Sequence, residues 1–167
     1  MSLEMHLCGD SILREVCVPV ETIDGELQRV LFQMVRMMEE QKGVGLAAPQ
    51  VGILKRFLVM LNPDTGELLK IINPKITSKS EGKIIMEEGC LSVLGPDELP
   101  VFADVARPST VEAEWTDENG KTRTAEFSGA AARIIQHETD HLDGVLFVDY
   151  LSSVKREMVM RKVKKRK

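Results

Sequence analysis

The chain has 167 residues, of which 43% are apolar and 29% charged, and its formal net charge at pH 7 is −4. This composition predicts one compact domain over residues 1–167 and excludes a disordered chain. No apolar run is long enough to span a membrane, and the N-terminus carries neither a basic signal region nor an arginine-rich targeting stretch. Three cysteines do not suggest a disulfide framework, so the sequence predicts a cytoplasmic protein.

The first part of the chain predicts a helix followed by short strands. Between Asp24 and Lys42 apolar residues recur at helical spacing, and Gly43 is positioned to end the helix. The predicted strands are 56–61, 68–72, 83–86 and 111–115. After the turn sequence at 117–120, a polar partner strand running through Phe127 predicts a hairpin.

A second helix is predicted from near Gly129 to Asp143, with Gly144 closing it. At about 100° per residue, His141 lies roughly 40° from His137, and Glu138 about 60° from His141, so the three share one face. Two imidazoles on successive turns can hold one metal ion. Glu138 is then placed to take a proton from water that the metal activates, as in the H-E-x-x-H pattern. The pattern also arises by chance, and two satisfied structural histidines are the alternative.

The third ligand of such a centre is not found downstream. One peptidase class adds a histidine six residues after the second, but Phe147 stands there and has no lone pair to donate. Another class uses a downstream glutamate, and the only one after His141 is Glu157, inside a basic terminal segment. The remaining histidine, His6, has no partner motif. The missing ligand is therefore expected upstream.

Cys90 is the best upstream candidate, since Cys8 and Cys17 are predicted to be small buried apolar residues. A thiolate and two neutral imidazoles make a tetrahedral site with one position open for catalysis. Alternatively, Cys90 is a nucleophile with His137 or His141 as its base. The placement of both histidines one turn apart favours the metal site.

Three segments carry a resemblance to a known family: 43–50 (GVGLAAPQ), 88–92 (EGCLS) and 136–141 (QHETDH). Together they resemble the three signature motifs of peptide deformylases, the metallohydrolases that remove the formyl group from the N-terminal methionine of new polypeptides. The likeness covers almost the whole chain in the expected order, from 12–14 to 145–151. Three motifs at matching separations are much more specific than any one alone.

The resemblance implies a role for each site residue. The implied metal ligands are Cys90, His137 and His141. Glu138 is implied as general acid and base, the Gln50 side chain and the Leu91 N–H as donors to the developing oxyanion, and Gly45 as a backbone contact for substrate. The implied cofactor is one divalent ion, natively Fe²⁺, with Zn²⁺, Ni²⁺ or Co²⁺ possible in the isolated protein. The implied partners are N-formyl-methionyl peptides and nascent chains, with no membrane.

Two rival functions are a zinc peptidase of the H-E-x-x-H type and a non-catalytic, ribosome-associated relative. The lack of a plausible downstream ligand disfavours the first, and the presence of Glu138, Gln50 and Cys90 disfavours the second. The chain also departs from the family pattern, because the connection at 94–106 is several residues longer and can reshape the substrate side of the cleft. Arg133 fits the family pattern, but the sequence leaves open whether it lines the pocket or packs at its mouth.

The charge is concentrated at the C-terminus. Residues 155–167, here called the basic tail, hold eight Lys or Arg and one Glu, a net of +7, so the preceding residues carry −4 − 7 = −11. Leu151, Val154 and Met158 follow a helical stripe and are predicted to dock on the body. The tail is either a solvated helix or a contact for ribosomal RNA. The elements together predict an α+β fold with short antiparallel strands around a central metal-binding helix and a C-terminal basic helix.

Overall fold

The computed structural model describes residues 2–163, which fold as an α+β protein around a five-stranded antiparallel sheet. The strands are β1 (Gly45–Ala47), β2 (Phe57–Leu61), β3 (Leu68–Lys79), β4 (Lys83–Glu88), β5 (Ala103–Pro108), β6 (Thr110–Thr116) and β7 (Thr122–Ser128). The helices are α1 (Gly25–Glu40), α2 (Gly129–Leu142) and α3 (Ser153–Lys162). The large sheet has the order β1-β2-β3-β6-β7, and β4 pairs with β5 in a separate two-stranded sheet. The predicted fold class is confirmed.

The predicted strands are present, with three differences. Strand β3 has 12 residues, because it continues past the apolar run through a polar, half-exposed segment that pairs with β6. Strand β1 has three residues inside a glycine-containing motif, and β5 is rich in Ala and charged residues. Neither strand has a run of β-branched or aromatic residues, so both are held by pairing and burial rather than by local preference.

The five-stranded sheet is covered by a helix on each face. Along β2, Phe57 and Val59 pack in the core cluster of α1, whereas Leu58 and Met60 pack in the cluster of α2. Because successive side chains of a strand point to opposite faces, a strand buried on both sides is apolar at every position. This explains the uninterrupted apolar sequence of β2, and it places α2 directly on the sheet.

Asp24 is the N-cap of helix α1, and its carboxylate accepts a hydrogen bond of 2.9 Å from the Leu27 N–H. Its end differs from the prediction. The residue in the left-handed conformation is Lys42, with φ 55°, and not Gly43. The Gly43 N–H donates to the Met38 carbonyl over 2.8 Å, which closes the last turn. Gly43 is needed for another reason, because a β-carbon there would lie 2.7 Å from the Leu91 side chain.

Helix α2 ends as predicted. Gly144 has φ 73°, and the next N–H, of Val145, donates to the Asp140 carbonyl over 3.0 Å. The predicted hairpin of β6 and β7 is also confirmed, with Trp115 and Phe127 packed against each other at 5.8 Å between ring centroids. Both rings belong to the cluster that covers the sheet-facing side of α2.

Helix α3 is present, but the predicted docking stripe is only partly correct: Leu151 packs on the core, whereas Val154 and Met158 do not. Val154 and Met158 are 67% and 55% exposed, whereas Val159 is only 7% exposed and packs beside Phe147. Apolar residues occur on several sides of this short helix, so their spacing did not identify the buried one. Residues 164–167 of the basic tail lie outside the described residues. Within residues 2–163, no helix has the length and hydropathy needed to cross a membrane.

A candidate metal centre on helix α2

The three predicted ligands meet at one buried point. The ligand atoms of Cys90, His137 and His141 all lie within 4.8 Å of one another. Cys90 Sγ is 3.3 Å from His141 Nε2, and the two imidazole rings have centroids 5.1 Å apart. The one-turn spacing of the histidines therefore places both imidazoles on one face of α2, as predicted. Cys90 reaches them from the segment after β4. One soft sulfur and two imidazole nitrogens form a donor set that suits zinc, iron or a similar divalent ion.

The Cys90 segment turns tightly after β4. A β-carbon at Gly89 would lie 2.5 Å from the exposed Phe102 ring, so that ring would have to move to admit any other residue between Glu88 and Cys90. Phe102 lies in the 94–106 connection, just before β5, so this connection packs directly on the cysteine segment. The Cys90 sulfur then accepts a long hydrogen bond, 3.4 Å, from the Ser92 N–H. These contacts hold the sulfur toward α2.

Glu138 lies beside the ligands with a free oxygen. Its side chain is buried, and among residues 2–163 its Oε2 atom has no hydrogen-bond partner. Burial raises the pKa of Glu138 to about 7, and the charge of His137 opposes that rise. Its Oε1 lies 4.0 Å from His137 Nε2. A buried carboxylate with a free oxygen and a pKa near neutrality can both accept and return a proton.

Gln50 is held in one orientation beside the cysteine. It lies in a 3-10 turn, Ala48–Val51, where its Oε1 accepts from the Ala47 N–H over 2.9 Å. Its Nε2 therefore points the other way, donating to Ser92 Oγ at 3.0 Å and approaching Cys90 Sγ at 3.5 Å. The amide presents its N–H side to the candidate centre, as the proposed donor role requires.

Leu91 and Gly45 also border the centre. The Leu91 side chain packs on Gly43, and its N–H donates to none of the residues that the structure describes. Gly45 begins strand β1, which forms one edge of the large sheet. A β-carbon at Gly45 would lie 2.5 Å from Glu138 Oε1, so the absence of a side chain there leaves space for the carboxylate.

A network of charged groups lies behind His137, and the sequence did not predict it. His137 Nδ1 donates to Glu88 Oε1 over 2.9 Å, which leaves Nε2 facing the centre. Arg107 donates to both oxygens of Glu88, over 2.6 and 3.0 Å. Burial alone would raise the pKa of Glu88, but the hydrogen bonds from His137 and Arg107 outweigh burial and lower that pKa to about 2. Glu88 is therefore an ionised acceptor that orients His137. Its adjacency to the Cys90 motif was the one available sequence signal.

Arg133 belongs to the same network rather than to the mouth of a pocket. Its guanidinium donates to Glu88, to the Val105 carbonyl at 2.8 Å and to the Ile84 carbonyl at 2.8 Å. Arg133 therefore links α2 to both strands of the small sheet. Arg133 is therefore an internal support of Glu88, and it neither lines the pocket nor packs at its mouth, the two positions that the sequence left open.

The other residues considered from sequence are not among those whose ligand atoms converge. Cys8 and Cys17 are buried among apolar residues, as predicted. His6 pairs with Asp10 at 3.0 Å. Glu157 lies on the exposed side of α3 and pairs with Arg161 at 2.7 Å, so it supplies no downstream ligand. Phe147 packs beside His137, with 6.1 Å between ring centroids.

These features define an α+β protein with a buried Cys-His-His cluster, in which both histidines lie on an H-E-x-x-H helix and the cysteine comes from the segment after β4. The model of the polypeptide deformylase family matches residues 3–157, and the chain belongs to that family of enzymes. A peptide deformylase of Rhizobium meliloti is 45% identical over 159 residues, covering 93% of this chain and 88% of that protein. One from Thermodesulfovibrio yellowstonii is 41% identical, covering 99% and 98%.

Solved structures of deformylases have the same fold. The crystal structure of peptide deformylase from Ehrlichia chaffeensis in complex with actinonin superposes with a TM-score of 0.89 at 37% identity, covering 97% of this chain and 96% of that one. The deformylase of Synechococcus elongatus, also in complex with actinonin, gives a TM-score of 0.88 at 41% identity, covering 96% and 85%. Both structural matches cover nearly the whole of this chain, and the family match over residues 3–157 includes the segments that carry the candidate centre.

Proposed function

We propose that this chain hydrolyses the formyl group from the N-terminal formyl-methionine of new polypeptides, releasing formate and a free amine. The observation that carries the proposal is the buried Cys90, His137 and His141 cluster with Glu138 beside it, whose Oε2 has no hydrogen-bond partner among residues 2–163, in a chain of the deformylase family. We also propose that residues 1–167 act as one catalytic domain in the cytoplasm, where such substrates are made.

The donor set fits one divalent metal ion, and Fe²⁺ is the proposed native ion, with Zn²⁺, Ni²⁺ or Co²⁺ as replacements. Cys90 would bind through Sγ and both histidines through Nε2, since His137 Nδ1 is already bonded to Glu88. A bound ion would lower the pKa of water and polarise the formyl carbonyl. The geometry of Cys90 and His141 alone, 3.3 Å apart, would also suit a thiol nucleophile with its base. The second imidazole favours the metal site.

The remaining chemistry is assigned to this chain's own side chains. Glu138 accepts a proton from the attacking water on its free Oε2 and hands it to the leaving amine. Negative charge that develops on the formyl oxygen is stabilised by Gln50 Nε2 and by the Leu91 N–H. Each such donor contributes on the order of 3 kcal/mol to transition-state stabilisation. The Gln50 amide is uncharged, so its donor role does not change with pH.

Strand β1 is the proposed guide for the substrate chain. It is an edge strand paired only with β2 among the described strands, so apart from the Ala47 N–H, which donates to Gln50 Oε1, its outer backbone groups can pair with an extended peptide. Gly45 at its start lies against Glu138. A peptide bound there would therefore present its N-terminal end to the catalytic carboxylate. Because Phe102 packs on Gly89, the longer 94–106 connection adjoins the same site.

The basic tail is the proposed contact with the ribosome. Within the described residues, Lys155, Arg156, Arg161 and Lys162 are exposed on α3. An exposed row of cations on an otherwise acidic chain attracts nucleic acid phosphates without sequence preference. This contact would bring the enzyme close to its nascent substrates.

A formate-release assay tests the central proposal. The purified protein, loaded with Fe²⁺ under anaerobic conditions, should release formate from a formyl-Met-Ala peptide and leave an acetyl-Met-Ala peptide intact. Cleavage of an internal peptide bond, with no formate, would favour the zinc peptidase. Because similar deformylases crystallise with actinonin, actinonin should compete with the substrate. A metal-loaded protein that binds actinonin but releases no formate would favour a non-catalytic relative.

A further inference from the structure

A chain of polar contacts runs from His137 Nδ1, the ring nitrogen that faces away from the candidate centre, to the protein surface. Glu88 accepts from His137 and is held by Arg107, as described above. The third nitrogen of the same guanidinium, Nη1, donates to Asp140 Oδ2 over 2.8 Å. The Tyr150 hydroxyl donates to that oxygen as well, also over 2.8 Å. Tyr150 is therefore the outer end of a continuous path of hydrogen bonds to the candidate metal ligand.

Tyr150 contacts this path in two ways. Besides its hydrogen bond to Asp140, its ring lies over the Arg107 guanidinium, with 4.6 Å from the guanidinium carbon to the ring centroid. Arg107 is only 2% exposed, whereas Tyr150 is 49% exposed, so the ring lies between the buried cation and solvent. Burial and the neighbouring Asp140 carboxylate raise the pKa of Tyr150 to about 12, which keeps its hydroxyl a donor at neutral pH.

We propose that Tyr150 is a positioning residue for the metal centre, acting through Arg107 and Glu88 on the orientation of His137. The proposal rests on the proposed function, in which His137 is a ligand. A guanidinium is planar with its donors in a fixed fork, so its hydrogen bonds to Glu88 and Asp140 and its contact with the Tyr150 ring together restrict that plane. A carboxylate held in one place then fixes the ring of the ligating histidine and raises its basicity.

The structure also limits how large the effect can be. Arg133 holds Glu88 independently, through contacts with the backbone of both small-sheet strands. Loss of Tyr150 should therefore loosen Glu88 without releasing it. Arg107, Asp140 and Tyr150 line a crevice of about 300 Å³ behind α2. Removing the ring would widen this crevice beside Arg107 and admit more water to the charged network.

Two variants and a control separate the hydrogen bond of Tyr150 to Asp140 from the contact of its ring with Arg107. Tyr150→Leu removes the ring and the hydroxyl, and Tyr150→Phe removes only the hydroxyl. Phe32→Leu is the matched control, because Phe32 is a half-exposed aromatic residue on α1, away from the network. Each protein is prepared with Co²⁺. The measurements are the visible absorption of the cobalt form, the rate of cobalt transfer to a chelator, kcat and KM for formyl-Met-Ala, and the thermal unfolding temperature.

Tyr150→Leu should shift the cobalt absorption bands and release cobalt about tenfold faster, which is the lower end of the usual effect of losing a residue that supports a ligand. Its kcat should fall while KM changes little, since Tyr150 supports the centre and does not contact substrate. For Tyr150→Phe, the cobalt absorption, the rate of cobalt release and kcat should all lie between those of Tyr150→Leu and those of the wild type. Phe32→Leu should match the wild type in absorption, cobalt release and kinetics.

Wild-type absorption and cobalt release in a folded Tyr150→Leu protein would overturn the proposal, even if its unfolding temperature dropped. A change in KM alone would also overturn it, because it would make Tyr150 a substrate contact. If Tyr150→Leu does not fold, Tyr150→Phe carries the same test. Failure of the wild type to bind one cobalt per chain would instead contradict the metal site itself, so the two failures are distinguishable.

Discussion

The Glu138 carboxylate fills the space that a side chain at Gly45 would need. A β-carbon at position 45 would lie 2.5 Å from Glu138 Oε1 and 2.8 Å from Cδ, closer than unbonded atoms approach. The edge strand β1 and the helix α2 therefore fit together at this point only if the strand begins with glycine. The requirement concerns the proposed general base and not the metal ligands.

Gly45→Ala should accordingly separate metal binding from catalysis. The new methyl group would push Glu138 aside, and proton transfer by a positioned group contributes about 10²–10⁴-fold to rate. We expect a loss of activity of that order with metal content near one per chain, measured by formate release and metal analysis.

The control for this variant is Gly82→Ala, because a β-carbon at Gly82 would meet only Ser109 Oγ, at 4.0 Å. It should retain full activity. An active Gly45→Ala enzyme would show that Glu138 does not need its present position.

A second prediction separates ligation from proton transfer. Glu138→Gln keeps the side-chain shape but cannot act as a base, so activity should fall by about 10²-fold or more while metal is retained. Cys90→Ala removes the sulfur ligand and should lose both metal and activity. Full metal and activity in Cys90→Ala would eliminate the proposed centre.

The identity of the ion leads to a third prediction. Zinc exceeds ferrous iron in general affinity, so aerobic purification should tend to yield a zinc form. Protein reconstituted with Fe²⁺ under anaerobic conditions should turn over formyl-Met-Ala faster per bound ion than the zinc form. Equal or faster turnover by zinc would place this chain among zinc-tolerant enzymes.

The basic tail supplies a fourth prediction. A protein with Lys155→Gln, Arg161→Gln and Lys162→Gln, and without residues 164–167, should deformylate small peptides normally but bind ribosomes more weakly. Binding by the intact protein should also fall steeply with added salt, measured by co-sedimentation at several salt concentrations.

The matched control for the tail keeps its charge and alters its packing. Val159 is the buried residue of α3, so Val159→Ala should lower the free energy of unfolding by about 1 kcal/mol and leave ribosome binding unchanged. Salt-insensitive binding that survives the charge changes would identify the tail as a solvated helix.

The sequence predicted the parts of this site that depend on local geometry. The angle between His137 and His141 on a helix required one shared face, and elimination of downstream ligands pointed to Cys90. Their atoms do converge, within 4.8 Å. The same reasoning predicted the ends of α2, because Gly144 is the left-handed residue there.

The residues that support His137 could not be predicted in this way. Glu88 ends β4 and Arg107 lies near the end of β5, so their side-chain contact depends on the pairing of these two strands, which no local pattern encodes. Arg107 lies in a strand with few β-forming residues, so nothing in its neighbours marked it as buried. The face of α3 was also predicted incorrectly, since Val154, Met158 and Val159 offer competing apolar directions.

The order of the ligands along the chain has a consequence for folding. Cys90 and His137 are 137 − 90 = 47 residues apart, and three of the seven strands lie between them. An ion bound to both would act as a cross-link across this long loop, and such links restrict the unfolded chain more as the loop grows. The ion needed for chemistry would then also hold the small sheet against the catalytic helix, so chelation should lower the unfolding temperature together with the activity.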